Sequence, residues 1–122
     1  MNLKALAIAG ILAASGMVAA VGPASAALSD CATDRMCSWG NNDYLWMLYS
    51  RPHGESNYLN FTGDKNDEMD SWANRSASHT GCMAEDANGG GYKQTMARNS
   101  NDNNVSPLNS DLVSSWRTTS GC

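Results

Sequence analysis

Cys37-Ser38-Trp39-Gly40-Asn41-Asn42-Asp43-Tyr44 and Cys82-Met83-Ala84-Glu85-Asp86-Ala87-Asn88-Gly89 are the two stretches whose comparison decides the fold of this chain. Laid one over the other, both read Cys, three residues, an Asn or Asp, one residue, then a second Asn or Asp. Further along, Trp72-Ala73-Asn74-Arg75-Ser76-Ala77-Ser78 lies over Asn109-Ser110-Asp111-Leu112-Val113-Ser114-Ser115, each giving an Asn or Asp followed four residues later by Ser. Self-similarity of this kind marks a duplicated supersecondary unit. Cys37 to Asn74 spans 37 residues and Cys82 to Asp111 spans 29, room for one four-stranded Greek key in each half. Two such units facing each other predict an all-β sandwich.

The rest of the chain agrees with that reading. No stretch after residue 26 carries a helical period, and Gly, Asn, Asp and Ser, the turn formers, recur every few residues. Between them sit short aromatic-rich runs that read as strands: residues 44–49 (YLWMLY), 58–62 (YLNFT), 91–96 (GYKQTM) and 111–117 (DLVSSWR). Residues 99–104 (NSNDNN) read as a polar loop.

The N-terminus has the layout of a cleavable secretory signal, residues 1–26: Lys4, an apolar run from Ala5 to Val21, the helix breaker Gly22-Pro23, and the small-residue triplet Ala24-Ser25-Ala26. Cleavage after Ala26 leaves a single domain of 96 residues, 27–122, with seven basic and twelve acidic side chains and a net charge of −5. A mildly acidic surface argues against nucleic acid and anionic membranes, whose phosphates call for clustered Lys and Arg. All four cysteines, Cys31, Cys37, Cys82 and Cys122, lie in the exported part and read as two disulfides of an extracellular protein. Three pairings are possible; spacing favours Cys31–Cys37 with Cys82–Cys122. Such staples matter because the exported part has only nine Leu, Val and Phe and no Ile. For the same reason its tryptophans, Trp39, Trp46, Trp72 and Trp116, are assigned to the core rather than to sugar stacking.

With the signal segment, the close first cysteine pair, the phrase Glu85-Asp86-Ala87-Asn88-Gly89-Gly90-Gly91-Tyr92, and an Asn/Asp-Asn/Asp-x-x-Ser/Thr-Ser signature written as residues 73–78 and 110–115, the chain resembles the βγ-crystallin-like domains. Within them it resembles the secreted actinomycete inhibitors of metalloproteinases. The resemblance implies two Greek keys in a disulfide-stapled sandwich. It also implies a monomeric, extracellular inhibitor of a thermolysin-like metalloproteinase. That inhibitor would act through an exposed, disulfide-anchored loop whose reactive bond is Cys82-Met83. The competing expectation is a non-inhibitory extracellular module that binds calcium or glycans.

For calcium, both copies of the signature depart from the family pattern. Ala73 and Ala77 stand in one, and Ser110 in the other, where an oxygen-bearing Asn/Asp or Ser/Thr is expected. Asp111 and Ser114 remain as weak calcium candidates, and no other cofactor is expected. Enzymatic activity is not expected. The two histidines, His53 and His79, have no free thiol to activate, and the acidic residues Asp64, Asp67, Glu68 and Asp70 read as a solvated loop.

Overall fold

The computed structural model describes residues 27–105 and 111–122. The expected signal segment, residues 1–26, lies outside the described residues. Eight strands follow one another: β1 (Arg35–Asn41), β2 (Leu45–Pro52), β3 (Leu59–Asn60), β4 (Ser71–Asn74), β5 (Gly81–Ala84), β6 (Lys93–Met96), β7 (Ser100–Asp102) and β8 (Ser115–Arg117). They form two antiparallel four-stranded sheets, ordered β2-β1-β4-β7 and β3-β8-β5-β6. Each half supplies three strands to one sheet and hands its third strand, β3 or β7, to the other. The halves are therefore clasped, and the expected pair of Greek keys is the observed fold.

The core lies between the sheets: Met36, Leu48, Phe61, Met69, Trp72, Met83, Met96, Val105, Val113 and Trp116. Four of these are methionines, whose unbranched side chains adapt to irregular gaps. With the tryptophans they supply the volume that the missing aliphatic residues do not. A second cluster, Cys31, Cys37, Trp39 and Ala73, with Leu28, Tyr44 and Met47 packed on it, covers the outer face of the first sheet. Being covered on both faces, β1 is buried from Met36 to Gly40 and shows no alternation of apolar and polar residues. This is why β1 escapes a search for half-buried strands. The four-residue strands β4 and β5 are buried throughout and escape it for the same reason.

Cys31 is bonded to Cys37 and Cys82 to Cys122, the pairing that spacing favours. The first bond pins the segment before β1 onto the outer face of its sheet; the second ties the C-terminus to β5. The polar run 99–104 is not wholly a loop, because Ser100–Asp102 forms β7. As an edge strand it needs only backbone partners on β4, not an apolar face, so its composition conceals it.

The backbone repeats with the register that the two cysteine stretches show. Asp43, Tyr44 and Trp46 have φ of 60°, 61° and 63°, and the residues 45 places on, Asn88, Gly89 and Gly91, have 54°, 76° and 73°. The second half thus places glycine at two of its three left-handed positions, where L side chains are strained, while the first half places Tyr44 and Trp46 there. Trp46 is 47% exposed, so of the four tryptophans assigned to the core it alone lies outside it. Its slot in the hairpin, not its hydrophobicity, sets its position.

Candidate cation site between the two halves

In each half, one buried serine holds the folded-over hairpin. Ser71 Oγ donates to Asn41 O at 2.8 Å and accepts from the Tyr44 N–H at 3.2 Å. Ser115 Oγ donates to Asp86 O at 2.6 Å and accepts from the Gly89 N–H at 2.9 Å. The next bond also repeats: Asp70 N–H to Trp39 O and Ser114 N–H to Ala84 O, both 2.9 Å.

These contacts correct the first copy of the signature. The segment equivalent to Ser110-Asp111-Leu112-Val113-Ser114-Ser115 is Asn66-Asp67-Glu68-Met69-Asp70-Ser71, not residues 73–78. Asn74 and Ser76 of that span have other work. Asn74 is buried and donates to His79 O and Met96 O, and Ser76 Oγ accepts from the N–H groups of Ser78 and His79. Ala73 and Ala77 consequently do not stand at signature positions. The departure in the first copy lies instead at Asp70, which occupies the place of Ser114.

With that register the two loops meet about a local two-fold. The Asp67 N–H donates to Val113 O at 3.1 Å, and the Asp111 N–H donates to Met69 O at 3.3 Å. Asp67 and Asp111 both have left-handed backbones, φ 59° and 69°, which turn the two loops toward each other. Two oxygen-rich junctions result. At one, Ser114 Oγ donates to Asp67 Oδ1 at 2.8 Å. At the other, Asp70 takes the place of the hydroxyl and faces Asp111. Burial first, then the Asp111 carboxylate, and further out Glu68, push the Asp70 pKa up to about 6. Two ionised carboxylates have no hydrogen to share, and Asp70 Oδ1 is buried without a donor among the described residues.

The expected candidates Asp111 and Ser114 thus sit at the junctions, each opposite a residue that the sequence reading had placed in a solvated loop, Asp70 or Asp67. The pairing of Trp72 with Trp116, 44 residues apart, is the sequence signal that finds all four. Among the described residues no three His, Cys, Asp or Glu side chains converge on one point. A cation here would take at most two carboxylates and complete its shell from hydroxyl and carbonyl oxygens and water. Such a donor set suits a hard ion such as calcium and not zinc or copper.

The expected reactive bond is elsewhere and has a different character. Cys82 and Met83 are both 0% exposed. They lie in β5, paired with Thr95 and Gln94 of β6 on one side and with Arg117 and Trp116 of β8 on the other. The bond is in the middle of a sheet and not in an exposed loop, so no cleft reaches it while the sheet is intact.

Neither a family model nor a curated protein matches this sequence. Solved structures do match. A βγ-crystallin domain from work on the evolution of the eye-lens fold superposes with a TM-score of 0.62 at 14% identity, covering 75% of this chain and 91% of that one. A βγ-crystallin domain from Flavobacterium johnsoniae gives 0.52 at 22% identity, covering 67% and 90%. The N-terminal domain of protein S gives 0.50 at 18% identity, covering 68% and 92%. Together with the paired Greek keys and their serine latches, these likenesses establish that the chain has the βγ-crystallin domain fold.

Proposed function

We propose that this chain is an exported calcium-binding module in which the cation bridges the two Greek keys. The observation that carries this reading is the reciprocal meeting of the two loops, with Asp67 on Ser114 and Asp70 opposite Asp111. Calcium takes six to eight oxygen ligands, and carboxylate, hydroxyl and carbonyl groups all serve. A bound cation would supply positive charge beside Asp70 Oδ1, which has no donor among the described residues, and would offset the repulsion between Asp70 and Asp111. The four residues belong to both halves, so binding would favour the clasped state over the unfolded one. Export is supported by the signal-like N-terminus and the two disulfides. Among the described residues no helix is long and apolar enough to cross a membrane.

Peptidase inhibition through Cys82-Met83 has no support in the geometry, because the bond is buried. The test of the calcium reading is a titration followed by melting temperature. A ligand bound only by the folded state raises stability by RT ln(1 + [L]/Kd). A rise that grows with calcium concentration supports the reading, and an unchanged melting temperature at millimolar calcium overturns it.

A further inference from the structure

The chain has two histidines, His53 and His79, and the fold brings them into contact. His53 directly follows β2, and His79 lies just before β5. Their ring centroids are 4.3 Å apart, with the planes inclined at 53°. Each main chain is tied down. The His53 N–H donates to Asp34 O at 3.0 Å, the His79 N–H donates to Ser76 Oγ at 2.9 Å, and His79 O accepts from Asn74 Nδ2 at 2.9 Å. The rings are held as well. His53 Nδ1 lies 2.7 Å from Ser76 Oγ, and His79 Nδ1 lies 2.8 Å from Ser78 Oγ. Those two hydroxyls are themselves 3.4 Å apart, so one short turn, residues 76–78, anchors both imidazoles by the same ring atom.

The other nitrogen of each ring, Nε2, has no hydrogen-bond partner among the described residues. Both side chains are only half-buried. Gly54, with φ 89°, packs against His79. A Cβ there would stand 3.5 Å from Nε2 and 3.9 and 4.0 Å from Cδ2 and Cε1. Distances so nearly equal put it over the face of the ring and not ahead of the Nε2 lone pair, so the loop closes on His79 without blocking that atom. A histidine coordinates a metal through one ring nitrogen while a hydrogen bond to the other fixes its tautomer and direction. Here Nδ1 is the fixed atom of both rings and Nε2 the free one.

We propose that His53 and His79 bind one divalent transition-metal ion through their Nε2 atoms, copper(II) most tightly, with water completing its shell. Imidazole suits copper, nickel and zinc, and affinity along the divalent series peaks at copper. With the ion bound, the ring protons sit on Nδ1 and are donated to the serines. Ser76 turns its own hydrogen to Ser78 Oγ, and exposed Ser78 turns its hydrogen to solvent. Asp34 Oδ1 is 4.0 Å from His53 Nδ1; being on the Nδ1 side, it adds negative charge nearby and is not a ligand. Among the described residues no third His, Cys, Asp or Glu converges on the pair, so the ion keeps several exchangeable positions. None of these residues belongs to the calcium junctions, whose donors are all oxygens, so the two readings stand or fall separately.

The test is titration of the oxidised chain with copper(II) at pH 7 in millimolar calcium, read by calorimetry and electron paramagnetic resonance. One equivalent is expected to bind, with two coordinated imidazole nitrogens. His53→Gln and His79→Gln should each weaken binding by about tenfold or more, close to 1.4 kcal/mol, and leave one imidazole on the residual ion. The Asp67→Asn/Asp111→Asn double variant should bind copper as the parent does. If a glutamine variant fails to fold, zinc titration of the parent decides, with both histidine ring resonances expected to shift together. No binding at micromolar copper, fewer than two imidazoles on the ion, parental affinity in both folded glutamine variants, or a zinc response at neither or only one ring overturns the proposal.

Discussion

At the scale of single residues, Asp70 sets the electrostatics of the junction it forms with Asp111. In the unfolded chain its carboxyl titrates near 3.8, and in the folded domain near 6. Between those values the native state binds the more protons at this group, so the contribution of Asp70 to stability is greatest below about pH 4, falls as pH rises toward 6, and is flat above. A shift of one unit corresponds to about 1.4 kcal/mol in a dry site; water reaches part of this one, which reduces the total effect to about 1 kcal/mol. Asp70→Ser, which copies Ser114, is therefore expected to remove most of that slope and to raise calcium-free stability at pH 7 by about 1 kcal/mol, as read by urea unfolding at several pH values. Met83 gives the opposite lesson. Met83→Asp places a charge in the core beside Trp116, at a cost of several kcal/mol, so this variant is expected to unfold; near-native circular dichroism and melting would contradict its burial.

At the scale of elements, the serine latches repeat what the strands do not. Ser115→Ala removes one hydroxyl that serves both a carbonyl and an N–H of the second hairpin, and is expected to cost about 2 kcal/mol. Ser71→Ala should cost somewhat less, because its bond from Tyr44 is the longer. Hydrogen exchange should open residues 41–46 in one variant and 86–91 in the other; uniform loss of protection in both would contradict separate latches. The first alignment, Cys37 over Cys82, was legible because cysteine and the hairpin's Asn and Asp are sparse enough to fix a register. The second slipped by seven residues. Asn or Asp followed by Ser recurs throughout this chain, and only the buried Trp72–Trp116 pair distinguishes the right repeat. The strands β1, β4 and β5 were illegible for a related reason: burial on both faces removes the alternation by which a strand is recognised.

At the scale of the whole molecule, two duplicated halves exchange their third strands and are stapled at both ends of the described chain. Cys82–Cys122 closes a loop of 40 residues, for which chain entropy gives about 4 kcal/mol. Cys31–Cys37, separated by six residues, restrains far less of the unfolded chain. Removing the long-loop staple with Cys82→Ala and Cys122→Ala together is expected to lower stability by about 4 kcal/mol, whereas the double alanine variant at Cys31 and Cys37 should lose about half of that; equal losses in urea unfolding would contradict the difference in loop length. The clasp gives the two junctions their significance for the fold, because each joins side chains from both halves and a cation bound at either would be linked to the folded state.

The measurement that tests this most directly is calorimetric titration of the oxidised chain with calcium at pH 7, run beside the Asp67→Asn/Asp111→Asn double variant. The account predicts saturable binding by the parent chain, accompanied by a rise in melting temperature, and loss of both in the variant. No heat of binding and no shift in the parent, or equal binding by the variant, would contradict it.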